Sequence, residues 1–385
     1  MKTCKHFGEC GSCKTQDMPY VTQLKGKEQR IKDLISEGNI DTELRPINHY
    51  QEYFYRNKME FTFSNEEDLV CGMYSRLKKK KVFNIEECLI FSPDTEIILG
   101  AILKFCKEKK YTAYNKYTYQ GFLRNLIVRE AKFSGQLMVG VVATSKVDFH
   151  RDEFVKVLTA LNLKAKLKSI YLITNDSWSD AVVFEKKELL WGDEYIEETL
   201  DGFTFNIGID SFFQVNPVGI TQLYRKVKEY ASLTGKERVL DLFCGVGTIG
   251  IFLAEAAKFV WGVEIHKQIV DAAFINAKKN NIKNISFFAE DARRFLNTQG
   301  TFYRDVDLLI INPPRCGLNP KIIRAILRLN PKRIIYSSCN PTTLFTDLKG
   351  LKSSYKPDFI EPFDFFPHTH HMECLTFLSK TPHNS

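Results

Sequence analysis

With 385 residues, 44% of them hydrophobic and 13% aromatic, the chain can build two or three packed domains, and this composition excludes a disordered protein. Its 54 Lys and Arg outnumber 46 Asp and Glu, a net charge of +8 that suits a polyanionic partner and equally a merely soluble basic protein. There is no run of about 18 apolar residues and no apolar leader after Met1, so neither a membrane span nor secretion is expected. The expected location is the cytoplasm, the expected state a monomer, and the ten cysteines are not expected to form a disulfide framework.

Three of the cysteines open the chain as Cys4-x5-Cys10-x2-Cys13, with Gly8, Gly11 and Ser12 between them. Small residues let a loop wrap tightly, with its backbone N–H groups turned toward bound sulfide or thiolate. Three thiolates call for a fourth ligand, and Cys88 in Ile85-Glu86-Glu87-Cys88-Leu89-Ile90-Phe91 is the leading candidate. Zinc and a 4Fe–4S cluster both accept four thiolates; the spacing departs from the C-x2-C pairs of zinc ribbons and favours 4Fe–4S. The bland alternative is a set of unliganded surface thiols.

Helical spacing covers residues 20 to 38 (Tyr20, Val21, Leu24, Ile31, Leu34, Ile35), with Gly38 as a stop. Tyr55 to Phe63 alternates as a strand does, and the basic run of Arg76 and Lys78 to Lys81 reads as a hairpin tip. Such a run is usually a solvated face; beside aromatics it is also a candidate for phosphate contact. A helix is predicted over 92–110 and another over His150–Leu161. Strands are predicted at Arg124–Arg129, Gln136–Ala143, Ser169–Thr174 and Ala181–Phe184, the last continuing to Trp191. Residues 1–205 therefore read as a β-rich unit, and the stretches Gly202 to Ile207 and Ser211 to Pro217 mark the crossing into a second unit, 206–385.

From residue 219 the pattern becomes regular alternation. Helices are predicted at Ile220–Tyr230, Ile249–Ala257, Ile269–Lys279 and Lys321–Leu329. Strands are predicted at Arg238–Phe243, Phe259–Glu264, Ile285–Phe288, Val306–Ile311 and Arg333–Tyr336. Alternating strands and helices give an α/β, parallel, doubly wound sheet, whose strand ends face a ligand crevice. The first predicted strand runs into Asp241-Leu242-Phe243-Cys244-Gly245-Val246-Gly247-Thr248-Ile249-Gly250, a glycine turn that lets a ligand approach the backbone. Glu264 ends the next strand and suits ribose hydroxyls; Glu290-Asp291 ends the third, where an adenine amine would lie. An acidic residue before the glycine turn disfavours a pyrophosphate and suits the sulfonium and amino-acid end of S-adenosylmethionine. The bland reading is an α/β domain with ordinary glycine turns.

Asn312-Pro313-Pro314-Arg315 ends the fourth strand. An N-P-P triplet is familiar from amino-group methylation, but there an aromatic follows; Arg315 suits a uracil carbonyl or a phosphate. Cys339 ends the fifth strand in Ser337-Ser338-Cys339-Asn340-Pro341, as a half-buried cap or as a nucleophile. Phe365-Phe366-Pro367-His368-Thr369-His370-His371-Met372-Glu373 precedes a final strand. Its histidines are a weak metal candidate; Glu373, a carboxylate against an apolar strand, is a candidate base.

Taken in this order, DLFCGVGTIG, NPPR, SSCNP and PHTHHME resemble the uracil-5 RNA methyltransferase family, and the cysteine loop, YRNKMEF and FFQVNP extend the resemblance over nearly the whole chain. The chain is most similar to the short iron–sulfur 23S rRNA type, which lacks a small amino-terminal barrel, with tRNA as the alternative substrate. The resemblance implies a methyltransferase fold with an iron–sulfur loop, S-adenosylmethionine and a 4Fe–4S cluster as cofactors, and RNA as partner. It implies Cys4, Cys10, Cys13 and Cys88 as cluster ligands, Gln214, Phe243, Glu264 and Asn312 as cofactor contacts with Asp291 at the adenine, Cys339 as nucleophile and Glu373 as base. Thr248 stands where some relatives carry Asn, and the helix over 20–38 is expected to pack on the catalytic unit. Arg315 or Asn340 is expected to stabilise an enolate oxygen, and Phe365 and Phe366 to hold an RNA loop.

Overall fold

The computed structural model describes residues 2–179, 182–298 and 305–381. Its first half contains α1 (Tyr20–Gly38), β1 (Glu43–Leu44), β2 (Lys58–Asn65), β3 (Leu69–Tyr74), β4 (Val82–Asn84), α2 (Thr95–Glu108), β5 (Leu123–Glu130), β6 (Gln136–Ala143), α3 (Arg151–Thr159), β7 (Lys166–Thr174), β8 (Lys186–Gly192), β9 (Ile196–Leu200) and β10 (Phe203–Ile207). The second half contains α4 (Pro217–Ala231), β11 (Arg238–Leu242), α5 (Thr248–Ala254), β12 (Phe259–Glu264), α6 (Lys267–Lys279), β13 (Ile285–Ala289), α7 (Ala292–Thr298), β14 (Leu308–Ile311), α8 (Pro320–Leu329), β15 (Arg333–Ser338), α9 (Pro341–Leu351), β16 (Tyr355–Phe363) and β17 (Glu373–Lys380). Ala181, where one strand was predicted to start, lies outside the described residues.

Among the described residues the second half builds a sheet of order β1-β16-β17-β15-β14-β11-β12-β13. The strands β13, β12, β11, β14 and β15 are parallel, as the alternation predicts. The sheet is not parallel throughout, which corrects the expectation: β17 lies antiparallel between β15 and β16. No helix separates β16 from β17, and a strand that returns without a crossover must run antiparallel. Helices take their places by amphipathicity: α8 buries Ile322, Ile323, Ala325, Ile326 and Leu329, and its start is set by Pro320 and by the Asn319 side chain, which accepts from the Lys321 N–H.

The first half builds a sheet of order β4-β3-β2-β5-β6-β7-β8, antiparallel except for β6 and β7, which α3 connects. The hairpin predicted around Lys78–Lys81 is present between β3 and β4. The amino-terminal elements cross to the other sheet. There β1 pairs with β16, α1 packs on α9, and Ile31 is buried in the second-half core. A buried ion pair, Lys27 Nζ to Asp364 Oδ1 at 2.6 Å, and a hydrogen bond from the Tyr20 hydroxyl to Asp364 Oδ2 at 3.0 Å fasten α1 to the loop before β17. No helix among the described residues is long and apolar enough to cross a membrane.

Candidate active site

The carboxyl ends of β11, β12, β14 and β15 meet on one edge of the sheet, where open α/β sheets bind ligands. β15 is buried from Ile334 to Ser338 and ends at half-buried Cys339. Asn340 then caps α9, its side chain accepting from the Thr342 N–H, with Pro341 at the first helical position. In the β15–β17 ladder Ser338 faces Cys374, so the next step of the register sets Cys339 opposite Glu373. Ser337 donates its hydroxyl to Glu373 Oε1 at 2.6 Å. Glu373 is buried, and burial pushes its carboxyl up to about 7, with the Ser337 bond acting in the other direction. Burial and the Glu373 charge raise the Cys339 thiol; the Arg315 guanidinium beside it opposes them.

The NPPR and SSCNP loops are tied together at Arg315, whose carbonyl accepts from Asn340 Nδ2 at 3.0 Å and from the Thr343 hydroxyl at 3.4 Å. The Asn340 amide accepts from the Thr342 N–H and gives one of its two Nδ2 hydrogens to the Arg315 carbonyl, so it positions this loop. The RNA-holding role expected of Phe365 is corrected. Phe365 is fully buried, its ring against Gly219, and presents no face to an RNA; Phe366 is half-buried and meets His371 edge-on. His368 is buried too, with Nδ1 3.2 Å from Gln23 Nε2. Ser337 was not among the predicted site residues, although strand alternation alone puts it on the same face as Cys339.

On the cofactor side, Phe243, Gly245 and Gly247 have φ of 63°, 55° and 82°, so the turn after β11 is left-handed at alternate residues. Phe243 bears that conformation with a side chain, a strain that structures retain where something else requires it. A Cβ on Gly245 would meet nothing within 4 Å, so this glycine borders open space; one on Gly247 would strike the Phe287 ring at 2.7 Å. Beneath the turn Asp241 is fully buried, and neither carboxylate oxygen has a hydrogen-bond partner. Burial pushes its carboxyl up to about 8, opposed only by the Gly250 N–H, which lies toward it without completing a bond. A buried acid without donors, under an open glycine turn, fits a ligand that brings positive charge.

Glu264 ends β12 and Asn312 follows β14, both half-buried at the same edge, while Gln214 approaches from the loop before α4. The Gln214 carbonyl accepts from Asn57 Nδ2 at 2.8 Å, which joins this loop to the first-half sheet. Asp291 caps α7, accepting from the Arg294 N–H at 3.0 Å. Thr248 Oγ1 lies 2.8 Å from the Tyr224 hydroxyl.

Cys4, Cys10, Cys13 and Cys88 line one small cavity of about 20 Å³, walled by Phe7, Met59, Phe61, Met73, Ile85 and Ile90. Burial, then the neighbouring thiols, push Cys13 up to about 12; burial and the charges of Cys10 and Cys4 act the same way on Cys88. Burial and neighbouring thiols hold Cys4, Cys13 and Cys88 back from ionising, so four soft donors in one place fit a positively charged centre. Among the described residues no three His, Cys, Asp or Glu side chains are close enough to hold a single ion. The loop is bound to the active-site side: the N–H groups of Lys14 and Thr15 both donate to the His368 carbonyl, at 2.7 and 3.3 Å.

The chain is 37% identical over 383 residues to an uncharacterised RNA methyltransferase of Clostridium tetani, covering 98% of this chain and 83% of the relative. It is 34% identical over 399 residues to one of Bacteroides thetaiotaomicron, covering 97% and 87%. A Pyrococcus abyssi tRNA (uracil-54, C5)-methyltransferase, solved with S-adenosyl-L-homocysteine, superposes with a TM-score of 0.79 at 29% identity over 96% of this chain and 86% of that one. The pattern of the tRNA (uracil-5-)-methyltransferase family runs through residues 19–381, from α1 past Glu373 to the end of β17. A methyltransferase sheet, relatives matched over more than four fifths of their own length and a family pattern spanning both sheets lead to one conclusion: this chain belongs to the tRNA (uracil-5-)-methyltransferase family and is an S-adenosylmethionine-dependent RNA methyltransferase.

Proposed function

We propose that the protein methylates C5 of a uridine in 23S rRNA, with Cys339 as nucleophile and Glu373 as base. The observation that carries this reading is that Cys339 and Glu373 directly follow and precede the paired Ser338 and Cys374, and that the charge of the buried Glu373 carboxyl acts on the half-buried thiol. Uracil C5 is too weak a nucleophile to take a methyl group unaided. Addition of the Cys339 thiolate to C6 forms an S–C6 bond and moves the ring electrons into an enolate, which makes C5 nucleophilic. Arg315, beside Cys339, favours the thiolate and offers charge to the enolate oxygen. S-adenosylmethionine, when bound, supplies an electrophilic methyl group. Glu373 then takes the C5 proton, the ring electrons return, and the S–C6 bond breaks to free Cys339. The buried, neutral-leaning carboxyl is suited to holding that proton near pH 7.

For the cofactor we assign Gln214, Phe243, Glu264 and Asn312, with Asp291 toward the adenine; the open turn at Gly245 and the orphaned Asp241 support this. For a 4Fe–4S cluster we assign Cys4, Cys10, Cys13 and Cys88, supported by their common cavity. The chemistry above has no redox step, so the group would brace the loop that holds the His368 carbonyl. We read residues 1–205 as an RNA-binding unit and 206–385 as the catalytic unit, α1 and β1 reaching across. The rRNA reading rests on the cysteine set and NPPR; a tRNA uridine is the second reading, favoured by the likeness to the Pyrococcus abyssi enzyme.

The test is incubation with 5-fluorouracil-substituted RNA, where a fluorine at C5 blocks proton removal. Wild-type protein is expected to form a stable covalent complex, and Cys339→Ala to form none and to lose turnover. Undiminished methylation by Cys339→Ala would sink the mechanism. Mapping 5-methyluridine in rRNA and tRNA of a deletion strain decides the substrate.

A further inference from the structure

We propose that three loops, residues 75–81, 115–120 and 175–179, form a stacking platform for a single-stranded segment of the RNA substrate, outside the site already described. The proposal rests on RNA being the substrate. The rings involved are unusually bare: Trp178 is 79% exposed, Tyr117 64% and Tyr119 45%. They are far apart in sequence, yet the Tyr119 and Trp178 centroids are 5.4 Å apart. Lys80 Nζ lies 5.2 Å from the Tyr117 centroid, so the basic hairpin joins the same surface, and Lys116 adds a second cation at 5.4 Å.

The loops carrying these rings are built, not loose. Asn115 closes its hairpin by donating to the Gln120 carbonyl at 2.7 Å, and its side chain accepts from the N–H groups of Tyr117 and Thr118 at 2.8 and 3.2 Å. Tyr119 has φ of 58°, a left-handed conformation that costs an aromatic residue energy. Lys146 Nζ donates to its carbonyl at 2.7 Å. Arg124, itself buried, donates to the carbonyls of Asn175 and Ser177 at 2.9 and 2.7 Å and lies 4.3 Å from the Tyr114 centroid. One guanidinium thus braces the Trp178 loop and the segment leading to the tyrosines.

Exposed, held rings beside lysines match single-stranded RNA, where each base has a stackable face and each phosphate a charge. The hairpin with Lys80 also touches the cysteine loop: Ser75 bridges to Cys10, and the Arg76 N–H donates to the Glu9 carbonyl at 2.8 Å. The platform therefore extends outward from the proposed cluster loop and gives the basic run of the sequence a specific task.

Binding of a labelled oligouridylate, followed by fluorescence anisotropy, tests this. Tyr119→Ala with Trp178→Ala is expected to weaken binding about tenfold or more, given the usual contribution of stacked bases. Trp178→Phe is expected to keep most of the affinity, and Lys80→Gln to lower the salt slope by about one. The rings are exposed, so the melting temperature of these variants is expected to match wild type. Wild-type affinity and salt slope in all of them would overturn the platform. The 5-fluorouracil complex is measured on the same preparations. Absence of that complex from the wild type counts against the Cys339 mechanism, and its presence alongside unchanged oligouridylate binding counts against the platform alone.

Discussion

Glu373 is a carboxyl that the fold holds against its own solvation, and the sign of its effects follows from that. Burial raises it from its ordinary 4.5 to about 7. As the proposed base, Glu373 must be ionised, so turnover is expected to rise with pH through about 7. The Ser337 hydroxyl stabilises the ionised form. Ser337→Ala is therefore expected to move the ascending limb of kcat/KM upward by about one to two pH units, a shift a purely structural serine would not produce. Folding carries the opposite burden. Between about 4.5 and 7 the native chain holds a proton that the unfolded chain has lost, so stability falls as pH rises through that window, by about 3 kcal/mol in total. Glu373→Gln is expected to abolish turnover yet to raise the melting temperature at pH 8, a gain that shrinks toward pH 5. The carboxyl was legible in the sequence because it stands next to an apolar strand. Ser337 was not, because a serine two residues from a cysteine is ordinary until the register supplies its partner.

Within elements, the turn from β11 to α5 separates two glycines of the same motif by what surrounds them. Gly245 borders open space and Gly247 faces the Phe287 ring. Gly245→Ala is expected to weaken S-adenosylmethionine binding about tenfold and, because its φ is 55°, to lower the melting temperature modestly and by less than Gly247→Ala, as isothermal titration and thermal unfolding would show. Gly247→Ala is expected to unfold earlier, since a Cβ meets the ring at 2.7 Å in a left-handed residue. The sequence showed this turn, since an apolar strand, an acid and spaced glycines leave few alternatives. It did not show β16, whose Tyr355–Phe363 run carries Pro357 and Pro362 and lacks alternation. α7 and α9 were missed for a different reason: each is a single short amphipathic stretch beginning at a strand-end motif whose residues had been read for chemistry. The antiparallel entry of β17 is a matter of which edge a strand joins, and local pattern does not encode it.

Over the whole molecule, the link between beginning and end is electrostatic as well as apolar. Lys27 and Asp364 form an ion pair with side chains 6% and 0% exposed, so removing one partner strands the other charge. Lys27→Met is expected to destabilise by about 3–5 kcal/mol in urea unfolding, with much of this recovered in Lys27→Met/Asp364→Leu. If the loop before β17 is held from α1, the single variant should also lose turnover at temperatures where it remains folded. The division into a β-rich first half and an alternating second half was readable from periodicity. The crossing of α1 and β1 could not be derived from their own residues, because a short amphipathic helix does not name the surface it covers.

The position of β17 bears on how such a chain comes into being. It is made after every other strand of its sheet, yet it lies inside the sheet, with β15 on one side and β16 on the other. Until β17 pairs, β15 and β16 each present an open edge, and Cys339 lacks the carboxyl proposed as its partner. Docking of β17 closes both edges and completes the proposed pair in one event. Translation interrupted before that point leaves a chain with open strand edges, open to misassociation and to chaperone capture, and without catalytic turnover.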